Sequence, residues 1–213
     1  FEVQLAQPLD FYAVTDHAMM LGLINEAADT TTTFSEYELS QSYHGINDSV
    51  DGGLFDIAKR NLIFNNFRGD VVANLLDGTF NSDVINSVSK SAWVETVDAA
   101  NEAYRPGQFT TFAAYEYTTS TEELGNLHRN VVFRGTDKLP AVPFSRLNSI
   151  NPEGLWNWMD GLREQGIESL AIPHNSNGSN GAMFAFTDWA GNTIDQAYAE
   201  QRMRNEPLVE ITQ

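Results

Sequence analysis

The chain has no cysteine among its 213 residues. Disulfides and thiolate metal sites are therefore excluded, and any metal must be held by histidine, aspartate, glutamate and water. Bases are scarce: Lys and Arg total 12 against 29 Asp and Glu, for a formal net charge of −17. Charge of that sign disfavours nucleic acid and anionic membranes, which are themselves polyanions. No apolar run approaches the roughly 18 residues of a membrane span, and no secretory leader pattern is visible. A soluble protein, cytoplasmic or periplasmic, is expected, with compartment and oligomeric state left open. Also missing are a phosphate-cradling glycine loop with lysine, a Gly-x-Ser-x-Gly elbow and a dinucleotide fingerprint. The chain starts at Phe1 without Met and closes on PLVEITQ, which reads as a strand that stops. One domain over residues 1–213, truncated at both ends, is the expectation.

What is present is enough apolar residue for a core, 42% of the chain, laid out in alternating patterns. Strands are expected over 10–16, 109–117, 127–134, 168–173 and 207–212. Helical spacing covers 54–76, with an interruption near Gly69, and 82–104, stopped by Pro106-Gly107. A third helix covers 151–165, opened by Asn151-Pro152-Glu153 and closed at Gly166, and a fourth covers 193–205. Strand, helix, strand in repetition argues for a parallel α/β sheet or barrel covered by helices. Residues 22–52 and 175–192 read as long loops over one barrel face, where function tends to sit.

Histidines stand at positions 17, 44, 128 and 174. Three of them lie at the end of, or beside, an apolar run: DFYAVTDH (Asp10–His17), GNLHRNVVF (Gly125–Phe133) and SLAIPHN (Ser169–Asn175). A fourth run, FTTFAAYEYT (Phe109–Thr118), carries Glu116. Imidazole and carboxylate are the ligand types for borderline divalent metals. Polar residues at successive strand ends would share one mouth. Each has a bland alternative. Asp16 can cap and His17 can be a surface histidine; Glu116 can form a strand-end salt bridge; His174 can be structural. Arg129, beside His128, can either pair with an anionic substrate oxygen or form an ion pair with one of the many acids. His44 sits in the first long loop and is read as non-ligating.

The ordered set Thr15-Asp16-His17, Glu116, His128 and Pro173-His174-Asn175 resembles the PHP (polymerase and histidinol phosphatase) superfamily. DFYAVTDHAMMLG, FAAYEYT, GNLHRNVVFRG, IPHNSN and the closing EITQ look more closely like a large bacterial family of unknown function within it. The resemblance implies a distorted seven-stranded β/α barrel, here incomplete and with long loop insertions. It also implies two or three divalent ions (Zn, Mn or Fe) and hydrolysis of phosphate esters. His17 resembles the second-motif ligand, Glu116 the bridging carboxylate, and His128 and His174 the histidines that join it on one ion; Asp16 is counted with the metal residues. The superfamily's opening His-x-His and closing Asp-x-His motifs are not present in this chain.

The function expected is therefore a metal-dependent hydrolase using metal-activated water, with phosphoesterase as the leading reading and Arg129 as a catalytic helper. A small anionic substrate is the expected partner, without nucleic acid. The alternatives are a non-catalytic or inactive metal-binding barrel and a related amidohydrolase-type metallohydrolase.

Overall fold

Apolar runs flanked by turn residues build five short strands. In the computed structural model, residues 7–46, 54–76, 82–123 and 125–212 are described. The strands are β1 (Phe11–Ala13), β2 (Thr110–Phe112), β3 (Ala114–Tyr117), β4 (Arg129–Phe133) and β5 (Ser169–Pro173). The helices are α1 (Leu23–Ala28), α2 (Leu54–Leu76), α3 (Ser82–Ala103), α4 (Pro152–Glu164) and α5 (Gln196–Asn205). β1 and β2 pair in parallel, Phe11 against Thr110. β3, β4 and β5 form a separate antiparallel sheet in that order. The chain divides into two compact units, Phe1–Met19 with Val94–Gln213, and Met20–Trp93.

The expected seven-stranded barrel is not what these residues form. The described strands make two small open sheets, of two and three strands, in a mixed α/β fold. The expected strand over 109–117 breaks at Ala113, and its two halves join different sheets. Among the described residues, no helix lies between β3 and β4. A parallel neighbour needs a crossover connection, whereas a direct return pairs antiparallel. Helix α4 does lie between β4 and β5, but the chain comes back alongside β4 in the opposite sense. The expected strand over 207–212 is not formed, and the segment joins neither sheet; Glu210 N–H donates to the Pro173 carbonyl at 3.0 Å.

Two further expectations change. Helix α2 runs through Gly69 without a break. The reading of 22–52 as a loop is replaced over residues 22–46 by α1 and two 3-10 helices, Phe34–Glu36 and Glu38–Tyr43; residues 47–53 lie outside the described residues. In this unit Leu23 and Ala27, four apart on one helical face, are fully buried, and Tyr43 and Phe34 pack edge-on against Phe67 at 4.8 and 6.4 Å between ring centroids. Gly22 precedes α1 at φ 79°, where a side chain would strain the backbone and a Cβ would come within 2.8 Å of the Ala92 Cβ.

The capping chemistry of α4 follows its sequence. Asn151 Oδ1 accepts the Glu153 N–H at 2.8 Å, proline occupies the first turn, and Gly166 follows the end at φ 80°. Leu155, Trp156, Met159 and Leu162 make its buried stripe. Helices α4 and α5 meet in a polar seam around Asp160. Its carboxylate accepts from Arg163 (2.6 Å), Arg204 (2.7 and 3.0 Å), Asn205 and Gln201 (both 3.1 Å). Among the described residues, no helix is long and apolar enough to cross a membrane.

The hydrogen bond from Arg204 is the chief reason the Asp160 carboxyl titrates well below its ordinary value of 3.8; partial burial opposes the shift, and Asn205 and Gln201 add to it. A lowered folded-state pKa contributes stability that is fully present above the ordinary value and is lost as pH falls through the folded one. Asp160→Asn is therefore expected to cost about 1–3 kcal/mol at neutral pH. It should also flatten the loss of stability below pH 3.8, both read by urea unfolding across an acid titration.

Candidate metal centre

Side chains alternate faces along a strand, and directly opposed residues on neighbouring strands share a face. Glu116 opposes Asn130 and Tyr117 opposes Arg129. Arg129 in turn opposes Pro173. Glu116 and Thr118 therefore project from one face of the sheet. His128 and His174, one step beyond Arg129 and Pro173, project from that same face, and the His174 N–H donates to the His128 carbonyl at 3.2 Å. On the outer side of β3, His17 forms a parallel bridge with Glu116, whose N–H donates to the Asp16 carbonyl at 2.8 Å. Four segments remote in sequence thus deliver three imidazoles to one carboxylate.

Glu116 Oε1 lies 3.0 Å from His128 Nδ1 and 3.2 Å from His17 Nδ1; Glu116 Oε2 lies 3.6 Å from His174 Nε2. The His128 and His174 ring centroids are 5.6 Å apart. Glu116, His128 and His174 each offer one ligand atom, all within 4.8 Å of one another, so this group could hold a metal ion. The 3.0 Å and 3.6 Å contacts involve different Glu116 oxygens, and the three-atom set as a whole is bounded by 4.8 Å, wider than the donor edges of a bound ion with bonds of about 2.1 Å. At that length the edges are about 3.4 Å for a tetrahedron and about 3.0 Å for an octahedron.

Glu116 is 6% exposed and His174 8%. Burial disfavours the Glu116 charge, yet hydrogen bonds from His128, His17 and His174 outweigh it and hold the carboxyl well below the usual range. Thr118 Oγ1 donates to Glu116 Oε1 at 2.7 Å. A hydroxyl has a single proton to give, so in its 2.7 Å contact with His17 Nδ1 the threonine accepts. That assigns the His17 proton to Nδ1 and its lone pair to Nε2 in the neutral ring. His17 is the exposed member, its side chain 45% accessible.

Of the expected metal residues, the structure gathers His17, Glu116, His128 and His174. Asp16 is exposed, is not a member of the three-residue group, and touches β3 through its backbone. Adjacent residues on an extended chain point in opposite senses, and His17 takes the inward one. Arg129, expected as a catalytic helper, is directed away from this group for the same reason. It follows His128 directly and is turned to the other face, 2% exposed, where Nε meets Glu206 Oε1 at 2.9 Å and Nη1 donates to the Leu127 carbonyl at 2.5 Å. Glu206 also accepts from Trp156 Nε1 at 2.7 Å and Arg202 Nε at 3.0 Å. A cavity of about 180 Å³ adjoins this cluster, lined by Arg129, Trp156, Tyr198 and Arg202 among others but by none of the three metal-group residues. His44 is exposed and outside the group.

Sequence reasoning passed over Thr118, Glu206 and Glu210. Thr118 was recoverable, since it stands two residues from Glu116 on an extended run. Glu210, whose Oε2 lies 3.8 Å from His174 Nδ1, was marked only by being the sole acid in PLVEITQ. Glu206 carried no local signal.

Because Glu206 compensates a buried guanidinium, Glu206→Ala is expected to destabilise the fold by about 3–5 kcal/mol, measured by urea unfolding. Metal content of the fraction that remains folded should be unchanged, since this cluster lies on the opposite face from Glu116.

The chain matches no curated protein and no solved structure. A family model described as a protein of unknown function (DUF3604) matches residues 1–213. Four dispersed polar residues converge within a sequence matched from end to end, and the chain belongs to the DUF3604 family.

Proposed function

We propose that this protein is a metal-dependent hydrolase whose ion is held by Glu116, His128 and His174, with His17 alongside. The observation that carries the reading is three imidazoles directed at one buried carboxylate. A carboxylate and imidazoles brought together in this way are the donor types that borderline divalent cations take. A divalent ion here supplies Lewis acidity, lowering the pKa of a coordinated water and polarising the bond to be broken. Against the opposing effect of burial, the imidazole contacts hold the Glu116 carboxyl well below its ordinary range. His17 Nε2, on the more exposed side, is placed to take or return a proton.

Phosphate esters are the leading substrate class, supported by the motif order that resembles the PHP superfamily. Arg129 is directed away, so binding of the substrate's negative charge falls to the cation. The histidine and carboxylate set suits C–N or C–O hydrolysis equally well. A metal-binding domain without turnover is the competing reading.

Purified protein is expected to carry roughly one ion of Zn, Mn or Fe per chain by elemental analysis, falling at least about tenfold in Glu116→Ala and His174→Ala. Below about half an ion per chain, with no response to either substitution, the reading is lost. With Mn or Zn added, hydrolysis of generic phosphodiesters is expected and should be abolished by His128→Ala; bound metal without turnover on ester or amide substrates would favour the non-catalytic reading. Protons compete for imidazole nitrogens, so metal affinity is expected to weaken as pH falls below about 6.5. Glu116, held far below that range, contributes nothing to this limb.

A further inference from the structure

Behind the sheet, two guanidinium groups converge on one carboxylate, and the charges do not cancel. Arg129 Nε and Arg202 Nε both donate to Glu206, which also accepts the Trp156 indole N–H. Arg129 spends Nη1 on the Leu127 carbonyl, and Arg202 spends Nη2 on the Met183 carbonyl at 2.8 Å. A guanidinium carries five N–H donors in a planar fork. Among the described residues, nothing takes up Arg129 Nη2 or Arg202 Nη1. Arg129 is only 2% exposed, so bulk water does little for it, and both side chains line the cavity of about 180 Å³. A guanidinium does not shed its proton. This part of the wall therefore holds one positive charge more than Glu206 cancels, and a buried excess charge is costly until an anion meets it.

Another part of the lining has the opposite character. Glu153 Oε1 accepts the Trp189 N–H at 2.7 Å and Oε2 accepts from the Asn151 side-chain amide at 3.2 Å. Among the described residues no cation pairs with this carboxylate, and each oxygen keeps a lone pair. Rings of Trp189 and Tyr198 stand in the same wall. A carboxylate beside aromatic rings is what an alkylammonium group takes. Asp188, exposed at the rim, is spent on Asn192. The volume of about 180 Å³ lies below the roughly 300–1,000 Å³ of sites for drug-sized ligands, so the occupant is small and carries both charges. A single excess positive charge matches a carboxylate; a phosphate monoester brings about two negative charges. We propose that this cavity binds a small zwitterion, an amino acid whose carboxylate meets Arg129 and Arg202 and whose ammonium group faces Glu153. Buried Leu127 and Met183 in the wall suit an apolar side chain. The cavity shares no residue with the Glu116 group, and the proposal does not depend on the metal reading.

Tryptophan fluorescence and thermal shift of the full chain, titrated at neutral pH with each standard L-amino acid, test the assignment. Saturable binding of at least one apolar L-amino acid, such as L-leucine or L-methionine, is expected, and a chelator should leave it unchanged. Acetate and methylamine each carry half of the recognition and should bind at least about tenfold more weakly. Glu153→Gln keeps an acceptor for the Trp189 N–H but loses the charge. It should weaken amino-acid binding about tenfold and leave acetate binding where it was. Arg202→Gln should weaken both by about tenfold. An unfolding midpoint measured for each variant separates lost binding from lost folding, and if Arg202→Gln does not fold, Glu153→Gln still decides. The proposal is overturned if no L-amino acid binds at about 10 mM, or if neither substitution moves the affinity. Acetate or inorganic phosphate binding as tightly as the best amino acid overturns it too, since the site is then one for anions alone. Binding that disappears with chelator assigns the amino acid to a metal centre and overturns its placement in this cavity.

Discussion

A carboxylate taken out of water at the edge of a small sheet must be compensated, and the arrangement around Glu116 is organised by that requirement. Exposure of 6% removes most of the solvation that would otherwise support the charge. The compensating groups are three imidazoles and a hydroxyl rather than an arginine or lysine. A lysine or arginine would neutralise the carboxylate permanently. Imidazoles supply hydrogen bonds or lone pairs according to their protonation, so the same group of side chains could hold protons or a cation.

Strand alternation then separates two polar systems that are neighbours in sequence. Arg129 and His128 are consecutive, yet one meets Glu206, which also accepts from Trp156 and Arg202, behind the sheet while the other meets Glu116 in front. The rear system is a clamp of two guanidinium groups and an indole on one carboxylate, and it joins β4, α4 and the end of α5. It holds the Arg129 guanidinium on the face away from Glu116.

The histidine and glutamate positions were legible from sequence because each closes or flanks a short apolar run, and such runs become strands. That Thr118 shares the face of Glu116 could be read by counting in twos along one run, but that the histidines share it could not. Helix α4 could be read almost to the residue, because Asn151, Pro152 and Gly166 act through local capping and backbone geometry. Pairing direction was not legible. Nothing within 109–117 marks Ala113 as the point where the chain leaves one sheet for another, and nothing local to β4 states that both its neighbours run against it. Those are properties of segments far apart, decided by packing. The inward and outward senses of Asp16-His17 and His128-Arg129 also needed the register, which fixes only the relative phase of two strands.

The bond between His17 and Thr118 spans 101 positions of chain. Most of that span is the excursion Met20–Trp93, which forms a compact unit by itself. A long detour that departs beside the site and comes back to it behaves, for the rest of the molecule, as a closed loop. The entropy of closing a loop grows only with the logarithm of its length, so doubling the detour costs about 0.6 kcal/mol. The length of the excursion therefore bears only weakly on what it costs to bring His17 beside Thr118.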